Sequence, residues 1–394
     1  MTGKGWIYKG IGILFAALCL TACSGRQGAA SQEKIWYPEY VATINQVDFQ
    51  DRMTRDVYLC GEELICETYM MDGGSFYMKE YYAMPLSQQG AVPEKISGGW
   101  GFVYDMAKDD QGNYYTLESD GDYIVAENEG VITDGVCVCT YDAEGALREK
   151  WGISEWLLEA GGQVAAYRLT LDGQGNIYVL GPEILLLMDS TGHYRGCIRE
   201  RILDMICGPD GQLYYIDYAA IDHPLKKIDF ESGKSELVRS NFPQGNMFWG
   251  ENEELWVFNL IGVYRSREGE TTPELILNWL DVDIDGAKVR EMALLPDGQF
   301  LVIMLDTNNW MIQTVEEAQP LEWACLARTE GENAGRKLIT MAVISISEDL
   351  RTATLQYNRE HPDYRVVLKE YAGIDGQRSI EEAVSAMDLD LVSG

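Results

Sequence analysis

The chain has 394 residues, 46% of them hydrophobic, and a formal charge of −32. That length leaves room for two or three domains with a large core. A body this acidic repels nucleic acid and anionic head groups, which disfavours DNA-binding and phosphate-binding roles, and its spread along the chain reads as a solvated surface.

The first predicted element is a secretory signal over residues 1–22. Lys4 and Lys9 precede an apolar run from Ile11 to Leu20 broken only by Gly12, the basic and apolar regions of such a signal. The run is too short to span a bilayer, which takes about 20 apolar residues. Leu20-Thr21-Ala22-Cys23 resembles a bacterial lipobox. The resemblance implies cleavage before Cys23, lipid on that cysteine, and a tether over 23–40. Two or more acyl chains would hold the protein stably on the outer face of a bacterial cytoplasmic membrane. The alternative is an uncleaved anchor helix with an incidental cysteine.

Residues 41–325 read as repeating short strands and turns. Asp109-Asp110-Gln111-Gly112-Asn113, Asp172-Gly173-Gln174-Gly175-Asn176, Pro209-Asp210-Gly211-Gln212 and Pro296-Asp297-Gly298-Gln299 each precede an apolar strand, with degenerate copies at Gly61-Glu62-Glu63 and Glu251-Asn252-Glu253-Glu254. Asp-Gly and Gly-Asn supply tight-turn geometry, so each copy is half of a hairpin. A second hairpin follows at an offset, as in Thr140–Leu147, Leu187–Tyr194 and Lys227–Lys234. Two hairpins make a four-stranded sheet. The residues before the repeat strands, Glu63, Asn113, Asn176, Gln212, Glu254 and Gln299, are spaced 50, 63, 36, 42 and 45 apart. Four-stranded propeller blades run about 40–50 residues. The fold class is therefore mainly β, a propeller of about six blades, since a sandwich gives no reason to repeat the turn at one offset. Ser154–Glu159 predicts a helical insertion with Ser154 as its cap.

Seven cysteines follow Cys23: Cys60, Cys66, Cys137, Cys139, Cys197, Cys207 and Cys325. An odd number cannot all pair within one chain, and no spacing reads as a zinc site. They read as small buried hydrophobes in strands, with a disulfide framework as the alternative. Asp281-Val282-Asp283-Ile284-Asp285-Gly286 matches the first half of a calcium loop, which makes Asp281, Asp283 and Asp285 the candidate metal ligands. Such a loop needs a bidentate Glu at its twelfth position, here Met292, so a solvated acidic turn between blades is the better reading. No GxSxG, HExxH or Walker loop occurs, and His193, His223 and His361 are scattered. Propeller enzymes often gather carboxylates on the axis, but nothing read from the sequence selects two. No cofactor is expected.

A polar linker over 326–337 leads to a different pattern. Leu338–Ile346 is an almost continuous apolar strand. Ser345 and Glu348 have capping-box spacing before a helix that stops ahead of Pro362. Tyr364–Tyr371 reads as a second strand and Ser379–Met387 as a second helix, the opening of an α/β unit. This stretch, above all Tyr357-Asn358-Arg359-Glu360-His361-Pro362-Asp363-Tyr364-Arg365-Val366, resembles the amino-terminal lobe of extracellular solute-binding proteins of ABC importers. The resemblance implies an incomplete solute-binding lobe over 338–394, a small solute or glycan as ligand, an importer permease as partner, and Ser345 as a cleft-lining residue. It also implies a chain that is part of a longer product.

The leading expectation is a membrane-anchored binding lipoprotein for carbohydrate uptake, without catalysis. The alternatives are an extracellular propeller hydrolase or lyase acting on glycans, and a non-catalytic interaction propeller. Carboxylates clustered on the axis with strongly raised pKa would favour the enzyme.

Overall fold

The computed structural model describes residues 35–393 apart from 37–38, 48, 50, 62, 73–74, 87–91, 97–99, 126–130, 268–272, 296, 307–319, 330–334 and 373–378. Cys23 lies outside the described residues. No described helix is long and apolar enough to cross a membrane.

Strands β1 (Ile35–Trp36) and β2 (Tyr40–Val47) come first. Five antiparallel four-stranded sheets follow in sequence. Blade one holds β3 (Arg52–Cys60), β4 (Glu63–Asp72), β5 (Ser75–Pro85) and β6 (Glu94–Ile96). Blade two holds β7 (Val103–Lys108), β8 (Tyr114–Val125), β9 (Val131–Tyr141) and β10 (Leu147–Gly152). Blade three, after the helix α1 (Ser154–Gly161), holds β11 (Arg168–Leu171), β12 (Ile177–Gly181), β13 (Ile184–Met188) and β14 (Tyr194–Ile198). Blade four holds β15 (Ile202–Cys207), β16 (Leu213–Asp217), β17 (Leu225–Asp229) and β18 (Lys234–Arg239), and blade five β19 (Asn246–Trp249), β20 (Leu255–Phe258), β21 (Gly262–Arg265) and β22 (Glu274–Asn278). Blade six combines β23 (Val289–Leu294), β24 (Phe300–Met304) and β25 (Leu321–Arg328) with β2 as its outer strand. The register of β2 on β25 runs from Tyr40↔Arg328 to Val47↔Leu321 and closes the ring.

The expected six blades are present, and the repeated turns fall where the spacing put them, between the first and second strand of each blade. Asp109 and Asp172 explain the chemistry. Each Oδ1 accepts the backbone N–H groups two and four residues on, and each Oδ2 accepts the amide of the following Asn, Asn113 or Asn176, at 2.8 Å. The aspartate thus supplies acceptors that the turn backbone lacks. The 63-residue gap is filled by the long β8–β9 hairpin and α1. In α1, Ser154 is the first helical residue rather than the cap. Its Oγ accepts the Val136 N–H at 2.7 Å, because it is buried against β9.

Six apolar clusters, one at each blade interface, make the core. Five of the seven described cysteines are buried, Cys197 and Cys207 are half-buried, and none of the seven is in a disulfide. They pack as small apolar groups.

The C-terminal unit has the predicted order: β26 (Arg336–Val343), α2 (Glu348–Glu360), β27 (Tyr364–Glu370) and α3 (Ile380–Ser393), with β26 and β27 parallel. β25 reaches Arg328, so the linker is shorter than 326–337. β1 adds antiparallel to β26, giving a third strand that the sequence did not suggest. Ser347 caps α2 by accepting the Leu350 N–H at 3.3 Å, so the capping role falls to it and not to Ser345.

This unit docks on the turn that enters β23, and there the acidic turn proves to be a clasp. Asp283, in the left-handed region at φ 59°, is buried. Its carboxylate pairs with Arg365, whose side chain is 1% exposed, and with Arg336 at 3.2 Å. Arg359 donates twice to its carbonyl, at 3.0 and 2.8 Å. Asp285 accepts the Ala287 N–H and lies 3.6 Å from Arg351. The turn is thus neither solvated nor free for a cation, because three aspartates so close in sequence meet four arginines of the tail. Removing one partner of a buried pair strands the other charge at a cost of about 3–5 kcal/mol. Asp283→Ala should therefore lower unfolding stability by about 3 kcal/mol or more, read by urea denaturation. An unchanged midpoint would mean that the clasp holds nothing together.

Candidate active site

The six innermost strands, β3, β7, β11, β15, β19 and β23, contact one another in turn around the axis. In five blades the turn after the inner strand is closed by a backbone hydrogen bond from its opening residue: Asp109, Asp172, Gly208, Gly250 and Leu295. Cys60, paired with Glu63, holds the same place in blade one. Counting four residues back from each gives Asp56, Asp105, Arg168, Asp204, Asn246 and Glu291. Every one is polar, and every following residue, Val57, Met106, Leu169, Met205, Met247 and Met292, is buried. Strand alternation sends the apolar residue between blades and the polar one to the axis.

The four acids share a second feature. The pairing register slips next to each, between Thr54 and Asp56, Val103 and Asp105, Ile202 and Met205, and Val289 and Glu291. No slip occurs on Arg168 or Asn246, which open their strands in regular pairing. A bulge re-aims a side chain, and here bulges accompany only the acids.

The ring is tied from blade to blade. Asp105 Oδ2 accepts the Leu169 N–H of blade three at 2.7 Å, and its Oδ1 the Met106 N–H at 2.8 Å. Asp204, fully buried, accepts the Met247 N–H of blade five at 2.5 Å. Arg168 Nη1 lies 2.6 Å from Asp204 Oδ1. Asp56 Oδ1 accepts the Val57 N–H at 2.9 Å. Glu291 has no hydrogen bond or ion pair among the described residues.

A channel of about 390 Å³ runs from the turn end of the inner strands down to Asp105, Arg168 and Glu291, past Phe248, Trp249 and Leu171. Within it, burial pushes the Glu291 carboxyl up to about 8, with Asp105, Asp204 and Asp56 adding to the rise and Arg168 opposing it. Burial also pushes Asp105 up to about 6, against the pull of Arg168 and its two backbone donors. Burial raises Asp56 and Asp204 as well. The Glu291 carboxyl thus holds its proton more tightly than Asp105 does, in a channel that also holds the Arg168 guanidinium. Two carboxyls driven apart in one site can act as acid and base. Among the described residues, no group of three or more His, Cys, Asp or Glu is arranged to hold a metal ion.

None of the candidate site residues taken from the sequence lies in this channel, although Cys60, read there only as a small buried hydrophobe, lines it. Asp281, Asp283 and Asp285 belong to the tail contact, and Ser345 is exposed in the bend after β26. The signal that finds the ring was present, as the residue at one fixed offset from each repeated turn.

No family model matches the chain, and no curated protein matches it. Among solved structures it is similar to a catalytically inactive virginiamycin B lyase from Staphylococcus aureus with quinupristin, at 12% identity over 74% of this chain and 100% of that one, TM-score 0.45. A putative gluconolactonase is similar at 12% identity over 74% and 94%, TM-score 0.43. A luciferin-regenerating enzyme is similar at 11% over 74% and 97%, TM-score 0.42. At these identities and scores the likenesses carry no functional argument, and the site rests on this chain's own geometry.

A carboxyl that binds its proton more tightly when folded stabilises the fold at acid pH. For Glu291 that contribution is complete below the ordinary glutamate range and is lost as pH rises through about 8. Relative to Glu291→Gln, the wild-type protein should lose on the order of 4 kcal/mol of stability between about pH 5 and pH 9. Parallel stability curves for the two proteins would remove the raised carboxyl.

Proposed function

We propose that the chain is an extracytoplasmic propeller enzyme, a hydrolase acting on glycans through the axial ring. The observation that carries this reading is one channel lined by an unpaired Glu291, an Asp105 held by two backbone donors, and Arg168, in which burial raises the Glu291 carboxyl further than Asp105. Cleavage of a glycosidic bond needs that pair. Glu291 would give its proton to the leaving oxygen. Asp105, oriented by the Leu169 and Met106 N–H groups, would take a proton from water or attack the anomeric carbon. A lyase acting on uronates needs a cation to offset the substrate carboxylate. Arg168 is already engaged by Asp204 in a ring of acids, so hydrolysis of a neutral or amine-bearing sugar is the better supported chemistry. Phe248 and Trp249 give the channel an aromatic wall.

Lipidation at Cys23 completes the proposal by tethering the ring outside the cytoplasmic membrane, facing extracellular polysaccharide. A second reading, capture of a small solute for an importer, is favoured by the parallel pairing of β26 with β27 across α2. The docked tail ties its arginines to Asp283 and leaves the axial channel unexplained, so the enzyme reading accounts for more of the molecule.

The test is release of reducing ends from a panel of neutral, amino and uronic glycans by the purified protein. Removing a general acid or base costs about 10²–10⁴-fold in rate, so Glu291→Gln and Asp105→Asn should each fall by that range. A protein that cleaves none of the panel yet binds a free sugar equally well as wild type and Glu291→Gln would support the importer reading instead.

A further inference from the structure

Arg168 and Glu291 face the same channel, and an arginine beside a lone carboxyl would normally pair with it. Here it does not. Its Nη1 goes instead to Asp204, at 2.6 Å. Asp204 is completely buried and cannot follow a moving partner, because its other oxygen accepts the Met247 N–H of the next blade at 2.5 Å. The slip between Ile202 and Met205 sets it in that place. Blade four thus supplies a fixed anion that holds blade three's guanidinium. We infer that Asp204 is the positioning residue of the axial site: by pinning Arg168 it withholds that guanidinium from Glu291 and keeps Glu291 able to donate.

The charged surroundings of Glu291 are few. Asp56 reaches it from β3, Asp105 from β7, Arg168 from β11 and Asp204 from β15. The Cys60 thiol of β3 also feels its charge, and β19 contributes only the neutral Asn246 at this level. Arg290, on its own strand, donates to the Leu305 carbonyl at 3.1 Å. Arg168 is therefore the cation whose placement sets the balance, and Asp204 decides that placement. A purely architectural Asp204 would serve only the Met247 N–H, a task that a neutral side chain with the same oxygen performs as well.

This inference rests on the acid–base reading of the ring, but its test needs no substrate. The side-chain carboxyls of ¹³C-glutamate-labelled full-length protein are titrated by NMR, with Glu291→Gln assigning the signal. Asp204→Asn retains an acceptor oxygen for the Met247 N–H but lets Arg168 turn to Glu291. The Glu291 midpoint should fall by one pH unit or more, roughly a tenfold weakening of proton affinity. Arg168→Gln should move it the opposite way, above the wild-type midpoint. The double variant should lie only slightly below Arg168→Gln, by the direct loss of the Asp204 charge, since without Arg168 there is nothing left to pin. A drop from Arg168→Gln as large as that from wild type to Asp204→Asn would mean that direct charge and not pinning sets the shift, and would overturn the inference. An Asp204→Asn midpoint equal to or above wild type, in a protein whose circular dichroism is unchanged, overturns the inference. If Asp204→Asn does not fold, Asp204→Glu serves. Its longer arm displaces Arg168 without changing charge, and a midpoint that stays fixed in that variant has the same adverse meaning. Failure to cleave any glycan would defeat the hydrolase reading and leave these shifts measurable.

Discussion

Closure of the ring is the constraint on which the rest of the molecule depends. Six sheets with exposed edges would be unstable alone, and the antiparallel zipper of β2 on β25 joins the first strand of the propeller to its last blade. Closure has a chemical consequence. At each level along the axis it forces one residue per blade into a common space, whatever those residues are. At the level four residues before the turns, that places Asp56, Asp105, Asp204 and Glu291 together with Arg168 and Asn246. Gathering acids away from bulk water is unfavourable unless each is paired or protonated. The ring uses both remedies. Asp105 and Asp204 accept N–H groups from the neighbouring blade, so the bonds that satisfy them also stitch blades together. Glu291 finds no such donor among the described residues, and burial favours its protonated form.

The tail is coupled to this closure rather than appended to it. β1 lies in the tail sheet and β2 in the closing blade, with only a few residues between them. The other end of the tail unit grips Asp283, in the turn that leads into β23. β23 is the innermost strand of the closing blade and the strand that carries Glu291. The seam of the ring, the clasp and the acid therefore belong to one continuous piece of structure. The cavity of about 660 Å³ beside the clasp, with Arg336, Arg359 and Arg365 on one wall and Asp281, Asp283 and Glu322 among its other lining, fits this view. Its charges balance, and those that touch are already partnered across the joint.

The blades were legible because turn chemistry is local. Asp followed by Gly reports a tight turn from four or five residues, and the spacing of such turns counts sheets. The tail was legible for a similar reason, since a continuous apolar strand, a capped helix and a second strand are local patterns. Two things were not. The Asp281–Asp285 run looks the same in sequence whether it binds a cation, solvates or receives arginines, because its partners lie 53 to 82 residues away. The axial ring was hidden differently. Each of its members is an ordinary polar residue in an ordinary strand, and only superposing the repeats on their turns reveals that all six positions are polar. Ser154 and Ser345 show a smaller limit. Capping spacing recurs by chance in serine-containing stretches, and burial against β9 or the true cap at Ser347 decided the matter.

The strongest objection to a chemical role for the ring is that axial acids are architectural. Three of them do have architectural work beside any chemical one. Asp105 and Asp204 are blade-to-blade acceptors, and Asp56 binds its own strand through the Val57 N–H. Glu291 does not fit that account. It accepts nothing from a neighbouring blade among the described residues, and it raises the electrostatic cost of the three other acids whenever it ionises. Sequences that break a local rule in this way tend to do so at functional sites. Arg168 sharpens the point, since it lines the same channel as Glu291 and yet pairs with Asp204. The molecule instead directs Arg168 to Asp204 Oδ1, an oxygen with no hydrogen-bond donor of its own, and leaves Glu291 unpaired at the channel.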